Sequence, residues 1–125
     1  MTNRQMKIPG PEHPIAIDPS QKRVRVTFAG RVIADGREAL TLREAVYPPV
    51  HYLPRKDVDM SLLTRTGHRT WCPYKGECVY FSISAGSSAA ENAVWSYEDP
   101  FEAVAEIREL LAFYPDRVDA IEVLD

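Results

Sequence analysis

The chain has few cysteines, no long apolar run and no excess of positive charge. Its 125 residues include two cysteines, which excludes a small scaffold held together by several disulfides. The formal net charge is -3, whereas nucleic-acid-binding domains usually present a basic face. No apolar run is long enough for a membrane-spanning helix, and the polar N-terminus has no signal-peptide core. We therefore expect a cytoplasmic protein with reduced cysteines and no nucleic-acid or membrane partner.

Ten prolines against six glycines predict rigid turns and short elements rather than long helices. A chain of this length supports one modest core. The proline-rich segment 1–14 is predicted to be an extended lead-in, because each proline disfavours helix in the residue before it. Residues 15–125 are then expected to form a single β-rich domain.

Apolar and polar residues alternate through much of the chain, which is typical of strands. The segment RVRVTFAGRVIAD, 23–35, alternates on both sides of Ala29–Gly30 and predicts a hairpin. The segment SAGSSAAEN, 84–92, is predicted to be a loop from its composition. About eight short antiparallel strands are expected in total.

One helix is predicted, in the segment DPFEAVAEIRELL, 99–111. Asp99 suits the N-cap, Pro100 the first helical position, and Glu102 completes a capping box. The predicted fold is therefore mainly β with one helix docked on the sheet.

The segment HRTWCPYKGECVYFS, 68–82, carries most of the residues with chemical potential. A four-residue loop would pair Cys72 with Glu77, whereas a five-residue loop pairs Cys72 with Cys78. The longer loop is favoured because it separates polar from apolar side chains, which a one-residue slip would undo. It places six residues on one face: His68, Thr70, Cys72, Cys78, Tyr80 and Ser82. This face either lines a cleft or is half-buried, with its polar atoms satisfying one another.

Two chemistries fit this face poorly. The Cys72-x5-Cys78 spacing has no second tight pair of ligands, so no metal is predicted. A thiol enzyme would use Cys72 as nucleophile, with His68 and Lys75 favouring the thiolate. However, four positions along a strand place His68 and Cys72 about 13 Å apart, too far for a direct hydrogen bond.

An anion-binding pocket fits better. Arg55 makes bidentate contacts to anions, Asp57 can hold its guanidinium in place, and Lys75 lies on the turn of the hairpin. The alternative is an ordinary surface ion pair. Trp95 and Tyr97 share a strand face, and aromatic residues with a polar tip often border pockets.

Several segments resemble a bacterial family of unknown function, domain-of-unknown-function family 427: PGPEHPIAI, LREAVYPPVHYLPRKDVDM, HRTWCPYKGECVYFSI and AVWSYEDP. The resemblance implies a compact β-tent-like fold. Some collections label the family nucleotidyltransferase-like, but here Asp57-x-Asp59 precedes Gly86–Ser87, the reverse of the order such enzymes need. The matching positions that the resemblance marks as site candidates are Tyr52, Arg55, Asp57, His68, Thr70, Cys72, Tyr74, Lys75, Tyr80, Trp95 and Tyr97.

These observations predict a domain that binds a small anionic or polar ligand in a pocket on the sheet, without a cofactor. Arg55 and Lys75 would contact the anion, and Tyr80 and Trp95 would form the walls. In a catalytic version His68 is the acid–base residue, because the unperturbed pKa of histidine is about 6.5. The alternatives are a non-catalytic protein-interaction module and, less favoured, a thiol enzyme using Cys72.

Overall fold

Ten strands in three antiparallel sheets build the structure, a computed structural model that describes residues 5–125. The strands are β1 (Ile15–Pro19), β2 (Arg23–Phe28), β3 (Arg31–Gly36), β4 (Leu40–Glu44), β5 (Val50–Tyr52), β6 (Leu63–Cys72), β7 (Gly76–Ala85), β8 (Ser88–Ser96), β9 (Ala112–Phe113) and β10 (Ala120–Leu124). Short 3₁₀ helices occupy Arg55–Asp57, Met60–Leu62 and Glu102–Ile107. The mainly β fold class is confirmed, with two strands more than expected.

The three sheets have simple orders. The first sheet is β1-β4-β5, the second β10-β2-β3, and the third β6-β7-β8-β9. The predicted hairpin at Ala29–Gly30 is confirmed within the second sheet. Both turn residues have positive φ, 53° and 73°, as the tight turns of hairpins require. Val24, Val26 and Phe28 alternate inward on β2, so the period of two predicts the buried face there.

The predicted loop at 84–92 is wrong. β7 continues to Ala85 and β8 begins at Ser88, which pair with each other across a two-residue turn. Gly86 in this turn has a φ of +60°. Small residues such as Ala89 and Ala90 have little strand preference of their own, and the ladder with β7 determines their conformation.

The predicted helix at 99–111 is shorter than expected and is not an α-helix. The 3₁₀ helix Glu102–Ile107 is broken at Val104, and its N-cap is Phe101 rather than Asp99. Val104 and Ile107 are three residues apart and fully buried. Val104 has non-helical backbone angles (φ -128°, ψ 28°), so the segment does not continue as a regular helix through this residue.

Within the third sheet, β7 is buried on both faces because the two cores share it, whereas most residues of β6 are exposed. Val79, Phe81 and Ile83 of β7 belong to the core against the second sheet. The alternate residues Cys78 and Tyr80 belong to the core against the first sheet, together with Leu42, Tyr52, Tyr97, Val104, Ile107 and Ala112. Of the six residues predicted to share a polar face, Cys78 and Tyr80 are therefore buried in an aromatic core, whereas His68 and Thr70 are exposed.

The described part of the lead-in, residues 5–14, contains no strand or helix but contacts the rest of the chain. The Lys7 amide donates to the Pro73 carbonyl at 2.8 Å, and the His13 and Tyr74 rings stack with centroids 4.0 Å apart. The boundary between lead-in and domain stays a prediction, as does the β-tent likeness. Within residues 5–125 no helix has the length and apolarity needed to span a membrane.

Candidate functional site

The β6–β7 hairpin closes more tightly than predicted. Cys72 pairs with Gly76 and Thr70 with Cys78, so the predicted register is wrong by two residues. Gly76 has a φ of +105°, a conformation that glycine adopts without strain, and it permits the short loop. A displacement of two residues preserves the face of each side chain. Thr70 therefore still faces Tyr80, and their hydroxyls hydrogen-bond at 2.9 Å.

A β-bulge in β6 determines the position of His68. Ser82 pairs with Thr64, because the register shifts between Arg65 and Arg69, and His68 lies within this shift. The Thr66 hydroxyl accepts a hydrogen bond from the His68 amide at 3.2 Å within the bulge. The His68 ring lies against the Tyr80 ring, with centroids 4.5 Å apart. Bulges often re-aim side chains next to functional sites, and this one directs His68 towards Tyr80.

A cleft of about 470 Å³ opens between the first and third sheets. Its wall comes from both sheets and from the segments that follow β4, β6, β8 and β9. The residues that line it are Leu42, Glu44, Tyr47, Val50, Tyr52, Lys75, Tyr80, Trp95, Tyr97 and Tyr114. Five residues predicted from the sequence to bind ligand thus meet in one concave place: Tyr52, Lys75, Tyr80, Trp95 and Tyr97.

The aromatic wall of the cleft is held in a fixed arrangement. The Trp95 indole donates to the Tyr52 hydroxyl at 3.2 Å, and the two rings meet edge to face. On its other side Trp95 contacts the Tyr114 ring, with centroids 4.5 Å apart. Such aromatic contacts add to the stability of a packed wall, so Trp95 is positioned before any ligand arrives.

Burial keeps the tyrosine hydroxyls of the cleft protonated. It is the largest influence on Tyr52, Tyr80 and Tyr97 and raises the pKa of each well above the usual value. A protonated phenol both donates and accepts hydrogen bonds. The cleft therefore presents neutral, two-way hydrogen-bonding groups.

A buried ion pair forms the charged end of the cleft. Lys75 Nζ donates to Glu44 Oε1 at 2.5 Å, and the two side chains are only 10% and 15% exposed. His13 donates to the other carboxylate oxygen at 2.7 Å. Burial raises the pKa of Glu44, but the hydrogen bonds and charges of Lys75 and His13 outweigh it, so the pKa lies below its usual value. The positive charge of Lys75 is therefore compensated within the cleft.

Arg55 lies outside the cleft, so the predicted clamp of Arg55 and Lys75 does not form. Its guanidinium donates to Glu98 at 2.9 Å and to the Glu109 carbonyl at 2.8 Å. It also lies over the Phe81 ring, on the opposite face of β7. Arg65 binds the same Glu98 carboxylate through two hydrogen bonds. Arg55 thus belongs to a structural cluster that joins distant parts of the chain.

Two other predicted residues also lie elsewhere. Asp57 packs directly beneath Gly36, where a Cβ would come within 2.3 Å of its Oδ2. Tyr74 stacks on His13 and borders a different, shallow surface depression. Neither side chain is among those that line the cleft.

The two thiols differ in surroundings, and both are free. Cys78 is 1% exposed, and burial raises the pKa of its thiol. Cys72 is half-buried and packs at the edge of the second core. His68 contacts Tyr80 rather than Cys72. Among residues 5–125 no three histidine, cysteine or acidic side chains form a group suited to a metal ion.

Sequence reasoning missed several residues of the cleft and of its ion pair. Glu44 continues the period of two that begins with Leu40 and Leu42, so it could have been placed on the inner face of β4. Tyr114 lines the cleft, although no local pattern marks it as a site residue. His13 carried no local signal, because the long-range docking of the lead-in brings it to Glu44.

The chain matches a protein-family model described as Domain of unknown function (DUF427) over residues 16–124. It is a member of the DUF427 family. The match confirms the resemblance and includes every strand that lines the cleft, whereas His13 precedes it. No curated protein matches the chain.

Proposed function

We propose that the cleft between the first and third sheets binds a small polar ligand without net charge. The observation that carries this proposal is the convergence of five tyrosines and Trp95 around one compensated ion pair. Pockets for small molecules are typically concave and mostly apolar, with a few well-placed polar groups. The volume of about 470 Å³ lies in the usual range for such sites.

The charges in the cleft favour a neutral or zwitterionic ligand over a simple anion. Lys75 is the cation that lines the cleft, and Glu44 neutralises it. Arg55 is committed to Glu98 and does not reach the cleft. An anion would therefore have to compete with a buried carboxylate for Lys75, whereas hydroxyl or amide groups can hydrogen-bond to the phenols.

His68 remains the candidate acid–base residue for a catalytic version of this site. Its ring lies on Tyr80, which lines both the cleft and a neighbouring depression formed by His68, Asn92 and Arg117. A ligand that extends past Tyr80 would contact the imidazole. Within residues 5–125 His68 contacts Tyr80 rather than Cys72, so a thiol mechanism that uses this histidine receives no support from the geometry.

The proposal is tested with three probes of matched shape and different charge: 4-hydroxybenzamide, 4-hydroxybenzoate and 4-hydroxybenzylamine. The indole N–H signal of Trp95 reports binding in NMR titrations, and Trp71, which does not line the cleft, is the internal reference. We expect the neutral amide to shift the Trp95 signal selectively and the anion to bind more weakly. Equal responses of both tryptophans, or no response to any probe, would refute the proposal.

Substitutions at and beside the cleft then test whether the probes bind inside it. Tyr47 is 62% exposed at the edge of the cleft, and its neighbour Val46 is 96% exposed and does not line it. We expect Tyr47→Ala to weaken amide binding about tenfold, whereas Val46→Ala leaves it unchanged. Lys75→Met removes the lysine charge that neutralises Glu44 and leaves it with the hydrogen bond from His13, so the amine probe should gain affinity relative to the amide. If the order of the three probe affinities is the same in Lys75→Met as in wild type, the ion pair takes no part in ligand recognition.

A further inference from the structure

A second cavity, of about 250 Å³, lies where the three sheets meet and is separate from the cleft described above. Val26 of β2 and Ile121 and Val123 of β10 contribute from the second sheet. Phe113 of β9 contributes from the third sheet, and Leu53, next to β5, lies on the side of the first. Because several distant segments line it, the cavity is a recess between the sheets rather than an exposed apolar strand face.

The polarity of this cavity differs from that of the cleft. Among the described residues that line it, His51 is the one titratable side chain, and none carries a permanent charge. Burial, and then the charge of Arg43, lower the pKa of His51, so the imidazole is neutral at neutral pH. Its Nδ1 shares a hydrogen bond with the Thr41 hydroxyl at 3.1 Å. The wall thus offers no charged partner to a ligand and supplies few polar contacts.

We infer that this cavity is a binding site for a small, uncharged and mainly apolar molecule about the size of two fused rings. The size follows from the volume: apolar cavities of about 150 Å³ take up benzene, and this one is larger. The class of molecule follows from the wall, since a charged group would lose its hydration without gaining a partner.

This site stands independently of the proposed function of the cleft. Val50 and Trp95 line both spaces and form their common wall. The other residues of the two walls differ, and so does their chemistry: phenols and an ion pair line the cleft, whereas mainly aliphatic side chains, with Phe113 and His51, line the cavity. Substitutions can therefore close one space without touching the other.

The test compares 2-naphthol with 2-naphthoate, which has nearly the same shape but carries a negative charge. Isothermal titration calorimetry measures the affinity of both for the full chain. We expect 2-naphthol to bind and 2-naphthoate to bind at least about tenfold more weakly. Equal affinities, or no binding of 2-naphthol up to its solubility limit, would overturn the inference.

Substitutions that fill the cavity with a larger side chain test whether 2-naphthol binds there. Val123→Phe adds volume at the cavity mouth, where Val123 is 44% exposed and a larger side chain is tolerated. Val32→Phe is the matched control, because Val32 is 49% exposed on the opposite edge strand of the same sheet and does not line the cavity. We expect about tenfold weaker 2-naphthol binding for the first variant and no change for the second.

A second filling variant, Ile121→Phe, approaches from deeper in the same strand. Thermal unfolding of each variant checks that it folds before binding is compared. Wild-type affinity in both filling variants would overturn the inference, as would loss of 2-naphthol binding in Tyr47→Ala, which alters the cleft alone. Loss in the filling variants with retention in Tyr47→Ala and Val32→Phe supports it.

Discussion

Replacing Glu98 with glutamine tests whether Arg55 and Arg65 stabilise the fold rather than bind an anion. Arg65 Nη1 and Nη2 donate to the two Glu98 oxygens at 2.9 and 2.6 Å. Arg55 Nη2 donates to one of the same oxygens at 2.9 Å. Glutamine preserves the shape of the side chain but removes the negative charge and leaves two guanidinium groups facing each other without a counterion.

The size of the effect follows from the pKa of Glu98. Hydrogen bonding from Arg65 is the largest influence, and together with Arg55 it outweighs burial and lowers this pKa from 4.5 to about 2. If the whole pKa shift of Glu98 contributed to stability, it would add about 3 kcal/mol to the unfolding free energy. Glu98 and Arg65 are 28% and 44% exposed, so solvent screening reduces the expected value to about 1–2 kcal/mol.

The pH dependence of stability shows whether the lowered pKa of Glu98 stabilises the folded protein. A carboxyl group whose pKa is lowered in the folded state stabilises the protein fully above its unfolded pKa of about 4.5. That contribution disappears as the pH falls towards about 2, the folded value. Urea unfolding of wild type and Glu98→Gln should therefore differ most near neutral pH and converge in acid.

The control is Glu106→Gln, which changes an exposed carboxyl group and should alter the unfolding free energy by less than about 0.5 kcal/mol. A difference between wild type and Glu98→Gln that is independent of pH would refute the argument. So would a control that loses as much stability as Glu98→Gln.

Two further predictions concern the packing. Gly36→Ala should lower the unfolding free energy by about 1–3 kcal/mol in urea titrations, because the new Cβ would lie 2.3 Å from Asp57 Oδ2. Gly67→Ala, with open space around its Cβ, is the control, and equal losses in both would contradict the packing argument. In the folded protein iodoacetamide should modify Cys72 well before the buried Cys78, as followed by peptide mass spectrometry. Equal modification rates without denaturant would show that Cys78 is accessible.

The sequence predicted what depends on local alternation. The period of two on β2 identifies its buried residues, and the same period places Thr70 and Tyr80 on one face even though the register differs. Because only an even shift preserves the face, the error in loop length did not disturb the grouping of these residues. The predicted α-helix is wrong because capping residues describe only a local preference, and the backbone is broken at the fully buried Val104.

The roles of Arg55 and His13 were missed because their hydrogen-bond partners are distant in the sequence. The local sequence around Arg55 favours a role in anion binding. Its partner in the structure, Glu98, lies 43 positions away in the sequence. The attachment of His13 to Glu44 similarly joins the lead-in to β4. Nothing in the local pattern at either end of these pairs indicates the other, so only the folded structure separates structural cations from those near the cleft.

The pairing of β2 with β10 has a consequence for biosynthesis. Val26 lies opposite Ile121 in the ladder, so β2 emerges from the ribosome long before its outer neighbour exists. During that interval the apolar residues of β2 and one edge of its backbone are uncovered, and such edges favour association between nascent chains. Because both β2 and β10 line the apolar cavity, that cavity is complete only after translation has passed Val123.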